Sequence, residues 1–165
     1  MKKTNNKGFS LVELIIVIAI MAILIGVLAP QYIKYVEKSR VSADKDLLDS
    51  VYNALTTAYG DPDVTTNLPG ATTFQLNSIG SQSSDKGNFN YLVMDTLGQG
   101  TTGSGSAVEA KLKSKIGKSS GASSGQITCV VDANGNFTVA VGATSNSTVA
   151  ASRDENVIAV GAGIN

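Results

Sequence analysis

Between Phe9 and Ala29 the chain carries only two polar side chains, Ser10 and Glu13, in an otherwise unbroken run of Leu, Ile, Val, Ala, Met and Gly. That is about the ~20 apolar residues a bilayer-spanning helix requires. Lys2, Lys3 and Lys7 precede the run, and basic residues ahead of a span favour a cytoplasmic amino terminus with the remainder exported. An ordinary secretory signal fits poorly, because its apolar region is only ~7–15 residues long and ends in a small-x-small cleavage site. Here the run is longer and ends at Leu28-Ala29-Pro30. Glu13 is the anomaly. A carboxylate inside such a helix costs roughly 2.5–3.5 kcal/mol on insertion scales, and nothing in the same segment supplies it with a partner. Cutting the chain before Phe9 would create an α-amino group four residues upstream. Between staggered neighbouring helices, that amine and Glu13 would set register as well as neutralise charge.

Lys7-Gly8-Phe9-Ser10-Leu11-Val12-Glu13-Leu14 resembles the class III leader junction of type IV prepilins and their pseudopilin relatives. The resemblance covers about the first forty residues. It implies that residues 1–8 are a leader removed by prepilin peptidase after Gly8, that the same enzyme methylates the new amino terminus at Phe9, and that Glu13 pairs with a neighbour's amino terminus during filament assembly. It also implies a homo-oligomeric helical filament as the product, built by an assembly platform and ATPase-driven machinery from subunits stored in the membrane. Pro30 stands where the family commonly places a helix-kinking proline.

The charge balance is zero, thirteen basic against thirteen acidic residues. Removing Lys2, Lys3 and Lys7 leaves ten against thirteen, a formal −3, so no overall basic surface for nucleic acid remains. One cysteine, Cys129, excludes an intramolecular disulfide,. The absence of histidine removes the usual imidazole base and His-ligated metals. No nucleophile–base arrangement, phosphate loop or redox pair stands out, and Asp154 and Glu155 are adjacent, unlike an acid–base pair. An enzyme is not expected, and neither a cofactor nor a metal site is expected. Asp61 and Asp63 read as a solvated turn. Asp132, Asn134 and Asn136 mimic the start of an EF-hand loop, but Phe137 follows where glycine belongs and no closing glutamate is present,.

The expected fold is α+β. One helix spans about residues 9–59, roughly 77 Å at ~1.5 Å per residue. Its first part, residues 9–30, is the transmembrane and filament-core half, with loosening expected at Pro30 because proline lacks an N–H and crowds the preceding turn. Residues 31–165 form an exported head. There the helix becomes amphipathic, with Leu48, Val51, Tyr52, Leu55 and Tyr59 on one face,, and packs on a small antiparallel sheet. Gly60-Asp61-Pro62 ends the helix. Thr73 to Ile79 suggests a short strand, and Tyr91 to Leu97 a helix or a buried strand. Ser106-Ala107-Val108-Glu109 has capping-box spacing and opens a small helix over 106–116, with Gly117 as its stop. Strands are expected at Gln126–Val131, Phe137–Val141 and Val157–Val160, the first two joined through Asn134-Gly135, a strong hairpin signal.

The functional expectation is a structural subunit of a type IV pilus, held in the cell membrane before assembly and on the cell surface afterwards. Adhesion and twitching motility are roles associated with such filaments. The alternative is a minor pilin or pseudopilin of a type II secretion or DNA-uptake system. A membrane-tethered binding domain that never polymerises is a third reading, and it leaves Gly8-Phe9 and Glu13 unexplained.

Overall fold

A computed structural model describes residues 10–80, 85–100, 103–119, 126–142 and 157–161. Helix α1 runs from Leu11 to Gly60, about 75 Å at ~1.5 Å per residue, and passes through Pro30 without leaving helical conformation. The chain divides into two units, one ending at Lys38 and the other beginning at Ser39.

In the first unit, α1 exposes its apolar side chains. The large aliphatic residues from Leu11 to Leu28 range from 48% exposed at Val17 to 72% at Leu11. With a mean hydropathy of 3.1 in its most apolar stretch, this helix is long and apolar enough to cross a membrane. A helix apolar on every side requires lipid or protein around it.

In the second unit, α1 is amphipathic and buries Asp44, Leu48, Val51, Ala54, Leu55 and Ala58. The sheet beside it has strands β1 (Thr73–Gln75), β2 (Ile127–Val131), β3 (Phe137–Val141) and β4 (Ile158–Gly161) in that order. All pairs are antiparallel. The β2–β3 register sets Ile127 against Val141, Cys129 against Val139 and Val131 against Phe137. The two-residue period therefore sends these six side chains to one face, where they join the helix residues in a single core. Phe89 stacks on Phe137 with centroids 6.4 Å apart, and Tyr59 meets Phe137 edge-on at 5.4 Å. On the opposite face Ala140 and Val157 form a smaller cluster with Val130 and Ala159.

The connections differ from expectation in two places, and in another the structure decides between two open alternatives. The segment Thr73–Ile79 is a strand only as far as Gln75, and Leu76–Ser78 is a 3-10 turn. Its pairing with β2 makes the sheet four-stranded. Residues 91–97 resolve as helix, because α2 spans Phe89–Thr96 and the Asn88 side chain caps it by accepting from the Asn90 N–H at 3.0 Å. The single helix expected over 106–116 is two short ones, α3 (Gly105–Glu109) and α4 (Lys115–Ser119). A continuous helix would use the Lys113 and Ser114 N–H groups to reach the carbonyls four residues back. The Asp44 carboxylate takes both instead, at 2.7 and 2.9 Å. The N-cap of α3 is Ser104 rather than Ser106, and Gly117 lies inside α4 instead of stopping a helix.

Gly105 begins α3 directly against the 3-10 turn, and a Cβ there would overlap the Leu76 carbonyl. Its N–H also donates to the Ile79 carbonyl at 3.1 Å. The overlap is with backbone, so a side chain cannot swing aside to relieve it. Gly105→Ala should destabilise the head by about 1–3 kcal/mol, the usual cost of overpacking, measured as a lower urea midpoint for the detergent-solubilised chain.

Candidate functional site

Gly8 and Phe9 lie outside the described residues. Helix α1 begins one residue after Ser10, and the first helical bond runs from the Leu14 N–H to the Ser10 carbonyl at 3.3 Å. Glu13 occupies the third helical position and turns back, so that its Oε2 accepts the Ser10 N–H at 3.0 Å. Glu13 therefore has a partner in its own segment, contrary to expectation. This is the reciprocal half of a capping box, and the Ser-x-x-Glu spacing of Ser10 and Glu13 was its signal. The bond directs the carboxylate toward the amino-terminal end of the helix. That end already carries partial positive charge from unpaired N–H groups, and Ser10 is the residue next to Phe9. Pro30, deeper in α1, removes the helical donor that the Gly26 carbonyl would otherwise receive.

Two other carboxylates hold the head together, and the sequence reading missed both roles. Asp44 is 1% exposed and spans about seventy residues of sequence to bind the Lys113 and Ser114 N–H groups. Ser114 completes this start of α4 by accepting the Gly117 N–H at 2.9 Å through its Oγ. Gly117 must be glycine, since a Cβ would come within 2.6 Å of Asp44 Oδ2. Glu109, expected to cap its own helix, instead accepts the Ile127 N–H at 2.8 Å at the start of β2. Burial pushes its carboxyl above the usual range, opposed by the bonds from Ile127 and Asn77. In the β2–β3 hairpin, Asp132 accepts the N–H groups of Asn134 and Asn136 and the Asn136 side-chain amide, each at 2.8 Å. Those bonds, led by the one from the Asn136 side chain, hold the Asp132 carboxyl below its ordinary value. Gly135 closes the turn with φ +79°. Cys129 is buried, and burial followed by the Glu109 charge pushes its thiol far upward, so it is a core side chain rather than a thiolate.

Asp44→Ala would strand two backbone donors, that of Ser114 buried and that of Lys113 partly so, and should cost about 2–4 kcal/mol at ~1–3 kcal/mol per orphaned group. Asp44→Asn keeps one acceptor and should cost less, both read from urea unfolding. The other two acids should respond oppositely to pH. Because the folded Glu109 pKa is raised, its contribution is fully present below the unfolded carboxyl value and is lost as pH rises through the folded one. Glu109→Gln should therefore gain on the native chain as pH rises. Asp132 has a lowered pKa, so its contribution is present above the unfolded value and is lost as pH falls through the folded one. Asp132→Asn should lose most at neutral pH and approach the native chain in acid. Parallel pH series of unfolding midpoints test both signs.

The family model described as the prokaryotic N-terminal methylation motif matches residues 3–29. The chain is 38% identical over 59 residues to the type IV major pilin protein PilA of Myxococcus xanthus, a match covering 36% of this chain and 27% of that one. It is 41% identical over 64 residues to the fimbrial protein EcpC of Eikenella corrodens, covering 39% and 42%. It is 50% identical over 40 residues to the type IV major fimbrial protein FimA of Dichelobacter nodosus, covering 24% and 26%. The matched segments thus span between about a quarter and two fifths of these curated relatives. No solved structure matches the chain. The methylation motif, which includes Gly8, Phe9 and Glu13, and the partial matches to type IV pilins make the amino-terminal part of this chain similar to that of type IV pilins.

Proposed function

We propose that the protein is a structural subunit of a type IV pilus. The observation that carries this reading is the uncovered apolar helix from Leu11 to Leu28, interrupted by one carboxylate, Glu13, and lying within the residues that match a methylation motif. Such a surface needs lipid before assembly and copies of itself afterwards. In this reading prepilin peptidase cuts after Gly8 and Phe9 is then N-methylated. Glu13, already turned toward its own helix start, exchanges that amide for the charged amino terminus of a neighbour. The subunit passes from the membrane to the cell surface through the assembly platform and its ATPase. Pro30 is the point where α1 can loosen as the subunit leaves the bilayer. The relatives named as major pilins favour the main subunit over a minor pilin or pseudopilin.

The decisive measurement is the mass and amino-terminal sequence of the protein in filaments sheared from cells. The expected chain starts at a methylated Phe9. Gly8→Phe should leave an uncut, heavier chain in the membrane. Glu13→Ala should be cut normally but yield no ordered filaments. Normal filaments from Glu13→Ala, or a native filament protein starting at Met1, would overturn the reading.

A further inference from the structure

Beyond the apolar run, the first unit changes chemistry within two turns of helix. Tyr32 and Tyr35 are each 69% exposed, Lys34 and Lys38 are exposed, and Gln31, Lys34, Tyr35 and Lys38 line one shallow surface together with Val27 and Pro30. At ~100° per residue, those four polar residues fall within an arc of about 100°. The two lysines are one turn apart, close enough for their ammonium groups to converge on a single phosphate. Glu37 lies about 110° from the centre of that arc and Arg40 on the opposite side, and both have interactions of their own.

The position along the helix identifies the ligand. Leu11 to Ala29 rises about 28 Å at ~1.5 Å per residue, close to the ~30 Å hydrocarbon thickness. Lys34 follows about 7 Å further on, in the headgroup layer. Tyrosine rings concentrate at that level, and lysine stems can lie along apolar surface while the ammonium reaches phosphate. Basic residues are normally concentrated on the cytoplasmic flank of a span, which here already holds Lys2, Lys3 and Lys7. Two lysines on one face of the exported flank run against that bias, and an anionic partner there accounts for them.

We propose that Gln31, Lys34, Tyr35 and Lys38 form a headgroup-binding face that takes an anionic phospholipid of the outer leaflet while the subunit is held in the membrane. The two ammonium groups bracket the lipid phosphate, and Tyr35 and Gln31 offer hydrogen bonds to its ester and glycerol oxygens. This rests on the membrane-stored state proposed above.

The test uses the full chain reconstituted in vesicles of mixed phosphatidylcholine and phosphatidylglycerol. The chain contains no tryptophan, so Tyr32→Trp, adjacent to the face but outside it, provides a single emission reporter of depth. After gentle detergent extraction, the lipid retained on the protein is quantified by class. Phosphatidylglycerol should be enriched about fivefold or more over the bulk ratio, the preference a basic side chain shows at an anionic surface. The enrichment should disappear in Lys34→Gln/Lys38→Gln and persist in Lys111→Gln/Lys113→Gln, while the indole emission of the Tyr32→Trp reporter stays blue-shifted in every variant. Retained lipid at the bulk ratio, enrichment that survives loss of Lys34 and Lys38, or equal loss on removing Lys111 and Lys113 would overturn the proposal. Water-like indole emission from that reporter in all vesicles would overturn the membrane-stored state as well, and so separates the two failures.

Discussion

Fourteen large apolar side chains between Leu11 and Leu28 remain about half exposed in the isolated chain. Covering what is left of each contributes roughly 1 kcal/mol or somewhat more, so the whole stretch is worth on the order of 10–20 kcal/mol. Every other feature of the first unit is small beside that figure. The penalty for carrying Glu13 in the same helix, roughly 3 kcal/mol, is tolerable for that reason. Hydrophobic burial is non-directional, however, and a smooth aliphatic cylinder can slide along its neighbours at little cost. A single charged group among them is what can distinguish one stagger from the next. In the proposed filament, drive and register would therefore come from different residues.

The second unit solves a different problem. Without a disulfide, its long connections must be held by packing and hydrogen bonds, and two buried carboxylates perform that task. Asp44 ties the middle of α1 to the start of α4, and Glu109 ties the end of α3 to the first residue of β2. Each accepts backbone N–H groups that have no partner in regular secondary structure. At Asp44 one side chain satisfies two such donors. The arrangement also makes the loops dependent on those two positions, whereas replacing an exposed acid such as Asp95 disturbs nothing comparable.

Periodicity carried most of the fold. The 3.6-residue pattern from Leu48 to Tyr59 and the alternating pattern at Phe137–Val141 are dictated by which faces are buried, and both are local properties of the chain. The Gly60 stop and the Asn134-Gly135 hairpin were legible for the same reason. The break between α3 and α4 was not, because its cause is a carboxylate about seventy positions away in sequence. Glu109 misled for a related reason: its spacing from Ser106 fits a capping box, but burial beside β2 offered a stronger use for the same oxygen. At the candidate assembly site the sequence singles out Gly8, Phe9 and Glu13, and of these Glu13 lies among the described residues. The bond from the Ser10 N–H to Glu13 follows from the local Ser-x-x-Glu spacing, which supplies a backbone amide where the segment offers no cation.

That amide bond bears on how the proposed pairing at Glu13 operates. An N–H···O⁻ contact satisfies one lone pair and draws on the partial charge at the helix start, but it leaves the net negative charge uncompensated. In an apolar environment a full positive charge at the same distance is the stronger partner, since Coulomb attraction rises as the effective dielectric falls. Under the proposed pairing, the self-cap is a holding position. It keeps Glu13 in one rotamer aimed at the helix start, so little side-chain entropy is lost when an amine arrives. Because the cap involves one amide and an exposed carboxylate, giving it up would cost little compared with the ion pair proposed to replace it. A glutamine at this position could keep the cap but would have no charge to exchange, which separates the local role of residue 13 in starting the helix from its proposed role in choosing a neighbour.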